Sequence, residues 1–319
     1  MGYGSYSSLS RSARATTKGY ATKSVEQIFT QQKERKAHDS MRSVGMTTRE
    51  CCDSEDHPET LPVILSLDVT ASMDRIPHML IRDGLPNLMT TIINNGFDDA
   101  SLLFTAAGDH KCDSYPLQVG QFESGDEELD MWLERTYLEQ GGGGNGGESY
   151  QLAWLTALNH TRTDAWDKRQ QKGVLITIGD EAIHPSINKT ALDEVFGSNN
   201  PYEGNIDTKQ LLDQVSERWE CYHIHIEHHR WSERETQGWK SLMGERCIVI
   251  NDHTEIPEIV ARLVLQNKPT GHVPAEVEEP EEVSTFTGAV EEVVDVIESV
   301  ADTVTDVIDS VVDVSDDLW

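Results

Sequence analysis

Residues 61–73 join a short apolar run to a polar end: Leu61-Pro-Val-Ile-Leu-Ser-Leu-Asp68-Val-Thr70-Ala-Ser72-Met73. A run of this kind predicts a strand that is buried on both faces. One carboxylate and two hydroxyls follow at alternate positions on the loop that leaves the strand. Open α/β sheets bind their ligands at this end of a strand. Three hard oxygen donors close together favour Mg²⁺ or Ca²⁺, whereas Cys and His ligands would favour zinc.

Two later segments repeat this pattern. Residues 173–185, Gly-Val-Leu-Ile-Thr-Ile-Gly-Asp180-Glu-Ala-Ile-His-Pro, form a second buried-strand pattern that ends in a carboxylate. Between the two strands lies a glycine loop, Gly141-Gly-Gly-Gly-Asn-Gly-Gly-Glu148-Ser149, which opens the amphipathic stretch Tyr150–Leu158. The loop lacks the Gly-Lys-Ser/Thr ending of a phosphate-binding loop and does not follow a strand. It is therefore interpreted as a hinge beside a metal loop.

The three loops, in this order, resemble the metal-ion-dependent adhesion site of von Willebrand factor A (VWA) domains of intracellular microbial or phage type. The second loop is similar to the integrin β-subunit I-like variant, in which a Gly-rich loop reaches Glu through Asp-x-Pro-Glu; here Asn145-Gly-Gly-Glu148 has Gly147 at the proline position. The resemblance covers residues 58–268. It implies Mg²⁺ (or Mn²⁺ or Ca²⁺) and an open coordination position for an Asp or Glu of a partner protein. The ligands it implies are Asp68, Thr70, Ser72, Glu148 and Asp180.

A simpler interpretation is available for the same residues. Polar side chains at strand ends often cap the helices that follow them. Glu148 could equally stabilise the first turn of its own helix through the helix dipole. The metal site is favoured because these carboxylates would crowd one crevice, where a divalent cation relieves their repulsion.

Strand and helix patterns alternate along the middle of the chain. This alternation predicts an α/β fold with a doubly wound, mostly parallel sheet, of the Rossmann-like type that VWA domains have. The predicted strands are Pro62–Leu67, Ser101–Thr105, Leu117–Phe122, Val174–Ile178, Cys221–Ile226 and Cys247–Ile250, with the second and third paired across the loop 108–115. The predicted helices are Arg75–Asn95, Glu127–Glu139, Ser149–Asn159, Asp207–Trp219, Arg234–Met243 and Ile256–Leu265. A long loop is expected after the fourth strand, through residue 201.

The two ends of the chain differ from this middle part. Residues 1–49 are predicted to be a basic, largely disordered arm with a short helix at Val25–Lys36, because their Ser-, Gly- and Tyr-rich start cannot bury a core. Residues 269–288 are typical of a linker. Residues 289–319 form an acidic amphipathic tail with a heptad seam. The seam consists of Val290, Val293, Ile297, Val300, Val304, Val307, Val311 and Val314. We expect a conditional helix or coiled coil that needs a basic partner.

Composition limits the classes of function. The formal net charge is −30, which argues against nucleic acid as a partner because phosphate binding depends on Lys and Arg. The five cysteines show no paired C-x-x-C spacing, so a reducing, cytoplasmic location is expected, or a virion-associated one if the protein is viral. The chain has no apolar stretch of about 18 residues, so no membrane association is expected.

Histidines suggest a second, weaker metal hypothesis. His223 and His225 would share one face of a strand, with His228 and His229 close behind them. Polar packing at the strand end is the preferred interpretation. Asp109, His110 and Asp113 follow the second strand near the predicted metal rim, and their spacing assigns them no role.

These patterns predict a binding protein. A metal-dependent VWA module would act as an adaptor or subunit of a multiprotein assembly. An alternative is a structural virion or scaffold protein in which the terminal segments carry the interaction; in a further variant, Asp316 or Asp317 of the tail occupies the metal position. An Mg²⁺-dependent phosphoryl-transfer or hydrolytic enzyme is disfavoured, since the three loops contain no Lys or Arg for phosphate. No enzymatic activity is expected.

Overall fold

A six-stranded β-sheet lies at the centre of the described residues. The computed structural model describes residues 4–73, 75–139, 146–227, 233–270 and 272, without the side chain of Ser72. The strands are β1 Arg49–Cys51, β2 Leu61–Asp68, β3 Ala100–Ala107, β4 Leu117–Glu123, β5 Thr161–Thr163, β6 Gly173–Gly179, β7 Ser186–Ile187, β8 Ile206–Asp207, β9 Trp219–Ile226 and β10 Cys247–Ile250. The helices are α1 Ser8–Lys18, α2 Val25–Ile28, α3 Gln31–Glu34, α4 Arg75–Met79, α5 Leu85–Asn94, α6 Asp126–Glu134, α7 Gln151–Asn159, α8 Asp164–Arg169, α9 Lys189–Phe196, α10 Thr208–Val215, α11 Glu233–Met243 and α12 Ile256–Gln266.

The strand order in the central sheet is β10-β9-β6-β2-β3-β4. All neighbours are parallel except β3 and β4, which pair antiparallel across the loop that joins them. Strand β2 is central, and the chain winds outward from it first to one side and then to the other. The predicted doubly wound, mostly parallel α/β fold is therefore confirmed.

Helices cover both faces of the sheet, and β2 shows how. Val63 and Leu65 belong to the apolar core beneath α5 and α12, whereas Ile64 between them belongs to the core beneath α7 and α10. Alternate residues of a strand point to opposite faces, so a strand between two helix layers needs apolar residues at both sets of positions. The continuous apolar run in the sequence reflects this double burial.

Several predicted elements differ in their extent. The helix expected at Asp207–Trp219 ends at Val215, and Trp219 begins β9. The short helix expected at Val25–Lys36 is divided into α2 and α3. The helix expected at Arg75–Asn95 is divided into α4, a π-helical turn at Leu80–Gly84 and α5. The helix expected at Glu127–Glu139 ends at Glu134. The loop expected after β6 contains α9, whose start is capped by the Asn188 side chain accepting a hydrogen bond from the Ala191 backbone N–H.

The N-terminal arm is ordered where the structure describes it, which differs from the expectation of a largely disordered segment. Helix α1 packs on α6 through a buried ion pair between Arg11 and Asp130, 3.1 Å apart. Arg14 also pairs with Asp130 at 3.1 Å, and an Arg11 N–H donates to the carbonyl of Ile81 in the π-helical turn. Further along, Phe29 is fully buried in the core. The basic composition that suggested a solvated arm instead complements the acidic face of α6.

The arm continues along the outer edge of strand β4. The backbone of Arg42 forms an antiparallel bridge with Gln118 of β4. The Arg49 guanidinium, 5% exposed as a residue, donates to the carbonyl oxygens of Val119 and Ser40 at 3.1 and 3.2 Å. Backbone groups of Gln118 and Val119 at this edge of the sheet are therefore paired within the chain.

The acidic tail 289–319 lies outside the described residues, as does the linker 269–288 apart from residues 269, 270 and 272. Predictions for these segments stay predictions. In the part of the chain that is described, no helix has the length and apolar character needed to span a bilayer.

Candidate functional site

The carboxyl ends of β2 and β6 flank the point where the winding of the sheet reverses. Asp68 is the last residue of β2, and Asp180 directly follows Gly179 at the end of β6. The register pairs Leu67 with Ile178, so the two carboxylates leave neighbouring strands at the same edge. Ligand crevices of doubly wound sheets lie at such a reversal. The fold therefore places two of the predicted ligand residues at this position.

Asp68 is fully buried and hydrogen bonded on both oxygens. Its Oδ1 accepts from the backbone N–H and the hydroxyl of Thr70, at 2.9 and 2.6 Å. Its Oδ2 accepts from the Tyr150 hydroxyl at 2.7 Å. Burial raises the pKa of Asp68 to about 7; the charge of Asp180 adds to this rise, and the hydrogen bonds oppose it.

Glu148 is brought to the site by backbone pairing between the second and third loops. It forms a parallel bridge with Ile183, in which its N–H donates to the Ala182 carbonyl at 2.8 Å. The preceding residue, Gly147, fits closely beneath this bridge, since a β-carbon there would lie 2.9 Å from Nδ1 of His184. A glycine at the position where the related motif has proline is therefore explained by local packing.

The Glu148 carboxyl lies in a strongly negative environment. Burial raises its pKa to about 10, and the charges of Asp68, Asp109, Asp113 and Glu181 act in the same direction. Its Oε2 is buried, and no described residue offers it a hydrogen bond. A buried acceptor without a donor, surrounded by carboxylates, has the chemistry of a cation ligand.

Tyr150 is a site residue that the sequence did not reveal. It is fully buried, and its ring contacts those of His223 and Trp239 edge-on, with centroids 5.3 and 5.4 Å away. Burial raises its pKa well above the usual value, and the charges of Asp68 and Asp180 contribute to this. A β-carbon on Gly179 would collide with its hydroxyl. The glycine at the end of β6 therefore makes room for the tyrosine that holds Asp68.

A second polar cluster follows β3. Asp109 Oδ1 lies 2.8 Å from His184 Nε2 and accepts a hydrogen bond from the Ser149 hydroxyl at 3.2 Å. His110 Nδ1 lies 2.6 Å from the same hydroxyl. Sequence reasoning noted Asp109 and His110 but missed His184, because residues so far apart in the chain carry no spacing signal.

The structure thus supports the predicted ligand residues to different degrees. Thr70 is hydrogen bonded to Asp68 at the end of β2, the charge of Asp180 at the end of β6 acts on Asp68, and the charge of Asp68 acts on Glu148. Ser72 belongs to a short 3₁₀ helix at Ala71–Met73, and the structure describes its backbone but not its side chain. Among described residues, Asp68, Glu148 and Asp180 do not form a group of carboxylates within 4.8 Å of one another. Their role as one ligand set stays a prediction.

The strand histidines pack as polar core residues. The His223 ring stacks on Trp239, with centroids 3.5 Å apart, and its Nδ1 lies 2.8 Å from the Thr177 hydroxyl. Burial lowers the pKa of His223 well below the usual value, so the ring is neutral. The packing interpretation fits this geometry; His228 and His229 lie outside the described residues.

No protein-family model matches the chain, and no curated protein matches it. Among solved structures, the fold is similar to the pilus adhesin SpaC from Lactobacillus rhamnosus GG, with 13% identity over 67% of this chain and 31% of that chain and a TM-score of 0.47. It is also similar to a von Willebrand factor type A protein from Catenulispora acidiphila (14% identity, 66% and 43% covered, TM-score 0.38). A third similar structure is proximal thread matrix protein 1 from the mussel byssus (9%, 67% and 48%, TM-score 0.41). The chain spans less than half the length of each, and the likeness concerns the fold alone.

Proposed function

We propose that this chain is a VWA-type protein-binding module that uses a divalent cation, Mg²⁺ or a similar hard ion, to hold an acidic residue of a partner protein. The residues that would hold the cation are Asp68, Thr70, Ser72, Glu148 and Asp180. We further propose that it serves as a non-enzymatic adaptor or subunit of an assembly, in the cytoplasm or in a virion. The partner would supply one Asp or Glu side chain.

The observation that carries this proposal is the state of Glu148. Its buried Oε2 has no donor among the described residues, and its pKa is raised to about 10 in the field of Asp68 and other carboxylates. A buried carboxyl in such a place is costly to ionise unless a cation accompanies it. Helix capping, the simpler interpretation, does not account for this oxygen. The donor set therefore fits a hard divalent ion.

The surrounding residues fix the orientation of the donors. Thr70 and Tyr150 each hold one oxygen of Asp68, so the orientation of its carboxylate is restricted before any ligand arrives. The bridge between Glu148 and Ile183 fixes the second loop against the third. When bound, a divalent cation would supply an open coordination position that a carboxylate of the partner can fill. Such preorganisation lowers the entropic cost of binding.

The first experiment measures cation binding by the full chain. Isothermal titration of Mg²⁺ and of Mn²⁺ is compared between the native chain, Asp68→Asn and the control Asp213→Asn, which changes an exposed carboxylate on α10. We expect a saturable site in the native chain and the control that is lost in Asp68→Asn. Equal binding by all three proteins would mean that cations only screen the acidic surface, and the proposal would fail.

The second experiment asks whether the cation presents an open position. Bound Mn²⁺ accelerates the relaxation of water protons through the water that it exchanges. We expect a peptide with one Glu to reduce this enhancement, and the same peptide with Gln in that position to leave it unchanged. The same small effect from both peptides would exclude carboxylate capture at the cation.

A further inference from the structure

Asp109, His110 and His184 are the three residues of the described chain whose candidate ligand atoms all lie within 4.8 Å of one another. His184 Nε2 lies 2.8 Å from Asp109 Oδ1, and His110 Nδ1 lies 3.7 Å from the same oxygen. We propose that these three side chains form a second cation site, separate from the one described above, which binds a borderline transition-metal ion such as Zn²⁺.

The donor set determines the kind of ion. Two imidazoles and one carboxylate suit Zn²⁺ and its neighbours, whereas an all-oxygen set suits Mg²⁺ or Ca²⁺. Tetrahedral zinc holds N and O ligands at about 2.1 Å, which places neighbouring ligand atoms about 3.4 Å apart. The two observed distances, 2.8 and 3.7 Å, lie on either side of this value. Small side-chain shifts would therefore complete the geometry.

The cluster is held in place by its surroundings. Asp109 is fully buried, and the side chains of both histidines are 4% exposed. The Asp109 backbone N–H donates to Asp113 at 2.6 Å, and its Oδ1 also accepts from the Lys111 N–H at 3.2 Å. The two imidazole rings meet edge to face at 5.3 Å. Ligands fixed in this way bind an ion with little loss of side-chain entropy.

An ion could reach the site through a neighbouring cavity. This cavity has a volume of about 230 Å³, and His110 and Asp113 form part of its lining together with Arg42 and Tyr115. Three protein ligands leave a fourth tetrahedral position for water or for an added ligand. His110 belongs to the Asp109-His110-His184 cluster and also lines the cavity, so the fourth coordination position can face the cavity.

Binding would require the ring protons of both histidines to move. Because the Ser149 hydroxyl donates to Asp109, His110 Nδ1 donates to the Ser149 oxygen, and its proton must pass to Nε2 before Nδ1 can ligate an ion. The Lys111 ammonium lies 3.2 Å from His184 Nδ1, so this nitrogen now accepts while Nε2 carries the proton toward Asp109. An ion on Nε2 moves the ring proton to Nδ1, without net proton release, and Lys111 must then turn away. Lys111 is exposed, so the movement is sterically open. Replacing Lys111 should consequently tighten binding.

The test uses the full chain carrying His228→Gln and His229→Gln, because adjacent histidines bind Zn²⁺ on their own. Zn²⁺ titration calorimetry and Co²⁺ absorption are compared between this parent, His184→Gln and the control His253→Gln. We expect one tight Zn²⁺ per chain, a loss of affinity of about tenfold or more in His184→Gln only, and tighter binding in Lys111→Met. If circular dichroism shows that His184→Gln is misfolded, His110→Gln takes its place.

The contrary result is equal Zn²⁺ affinity in His184→Gln and His253→Gln. It would mean that the triad is only a hydrogen-bonded network that joins three loops, and the inference would be overturned. This failure can be distinguished from failure of the proposed function. Asp68→Asn should abolish Mg²⁺ binding and keep Zn²⁺ binding, whereas His184→Gln should do the reverse.

Discussion

At the scale of single residues, Glu148 and Asp68 retain protons at a pH at which most carboxyl groups have lost them. Burial raises their pKa values to about 10 and about 7, and a nearby carboxylate adds to each rise, Asp68 for Glu148 and Asp180 for Asp68. Without a cation, Glu148 is therefore neutral near pH 7, whereas Asp68 is about half ionised there. Because their protonation states differ, substitutions of Glu148 and Asp68 should have different effects on the metal-free protein.

We predict that Glu148→Gln stabilises the metal-free protein and weakens cation binding. With a pKa of about 10 in the folded state, the native carboxyl must take up a proton on folding at neutral pH, whereas it is ionised when unfolded. The amide carries no such cost, so the free energy of unfolding in EDTA should rise by about 1–3 kcal/mol at pH 7, and the gain should shrink as the pH falls toward the ordinary Glu pKa of about 4.3. The affinity for Mg²⁺ should fall at least about tenfold, because a charged ligand is lost. Urea unfolding and calorimetry measure the two quantities. Strong destabilisation in EDTA would contradict the assigned state of Glu148.

His57 gives a pH prediction away from the site. Its Nδ1 lies 3.1 Å from Asp99 Oδ1, and its Nε2 lies 3.2 Å from the Gly4 carbonyl oxygen. A second histidine, His272, places Nδ1 3.7 Å from Asp99 Oδ2 and Nε2 3.0 Å from Asp98 Oδ1. The hydrogen bond to Asp99 raises the pKa of His57. The stabilisation is thus complete below the ordinary histidine pKa of about 6.5 and is lost as the pH rises through the raised value.

The measurement compares the native chain with His57→Gln by urea unfolding between pH 5.5 and 8.5. The difference in the free energy of unfolding should be largest at the acidic end and should shrink as the pH rises. His253→Gln serves as the control for losing a partly exposed histidine. A difference that is constant across the range would show that His57 does not change its protonation on folding.

Some of these residues are predictable from the sequence and others are not, for physical reasons. Asp68 and Asp180 stand directly after apolar strands, so one-dimensional order is enough to predict their common edge. Tyr150 and His184 act through contacts between loops that the fold brings together, and no local pattern marks them. Glu148 is intermediate, because its motif was visible but its bridge to Ile183 was not.

At the scale of secondary-structure elements, the Tyr150 side chain packs directly against Gly179 at the end of β6. We predict that Gly179→Ala destabilises the protein by about 1–3 kcal/mol, because the new methyl group would collide with the Tyr150 hydroxyl. Tyr150→Phe removes that hydroxyl but keeps the ring, whose carbons would still lie 2.6 and 2.7 Å from the new β-carbon. The double variant should therefore lose somewhat less stability than the sum of the two single variants, as a double-mutant cycle in urea can measure. Simple additivity would show that the clash is with the ring rather than with the hydroxyl, and an unchanged stability in Gly179→Ala would exclude the steric explanation.

The contact between α1 and α6 gives another prediction. Among the described residues, Arg11→Met leaves the fully buried Asp130 with Arg14 as its remaining ion-pair partner, and should cost about 3 kcal/mol. The matched control, Arg162→Met, breaks an ion pair whose arginine side chain is 63% exposed, and should cost less than about 1 kcal/mol. Equal effects in chemical denaturation would show that the arm contributes no more than a surface contact.

Elements with strong periodicity were predictable, and those that depend on tertiary partners were not. The six central strands and α12 were predicted to within a few residues because their apolar patterns reflect burial against the sheet. Helix α1 carries an almost wholly polar sequence and is stabilised by charges on α6, so composition suggested disorder. The π-helical turn before α5 has no pattern of its own in the sequence.

At the scale of the whole molecule, cation binding should appear as added stability. An ion that binds only the folded state stabilises it by about 2.7 kcal/mol at a concentration one hundred times its Kd. We predict that Mg²⁺ raises the midpoint of thermal unfolding of the native chain and of Asp213→Asn, but not that of Asp68→Asn. A rise in all three would be an ionic-strength effect, which an equal ionic strength of NaCl would reproduce.

The partly covered edge of β4 affects whether strands from neighbouring copies of this chain can add to the sheet. A bare edge strand invites the strands of neighbouring copies to add on, which begins aggregation. Here the Arg42 backbone bridge and the Arg49 guanidinium occupy part of that edge, at Gln118 and Val119, and the opposite edge strand, β10, is only four residues long. Both features disfavour the addition of a strand from another copy to this sheet.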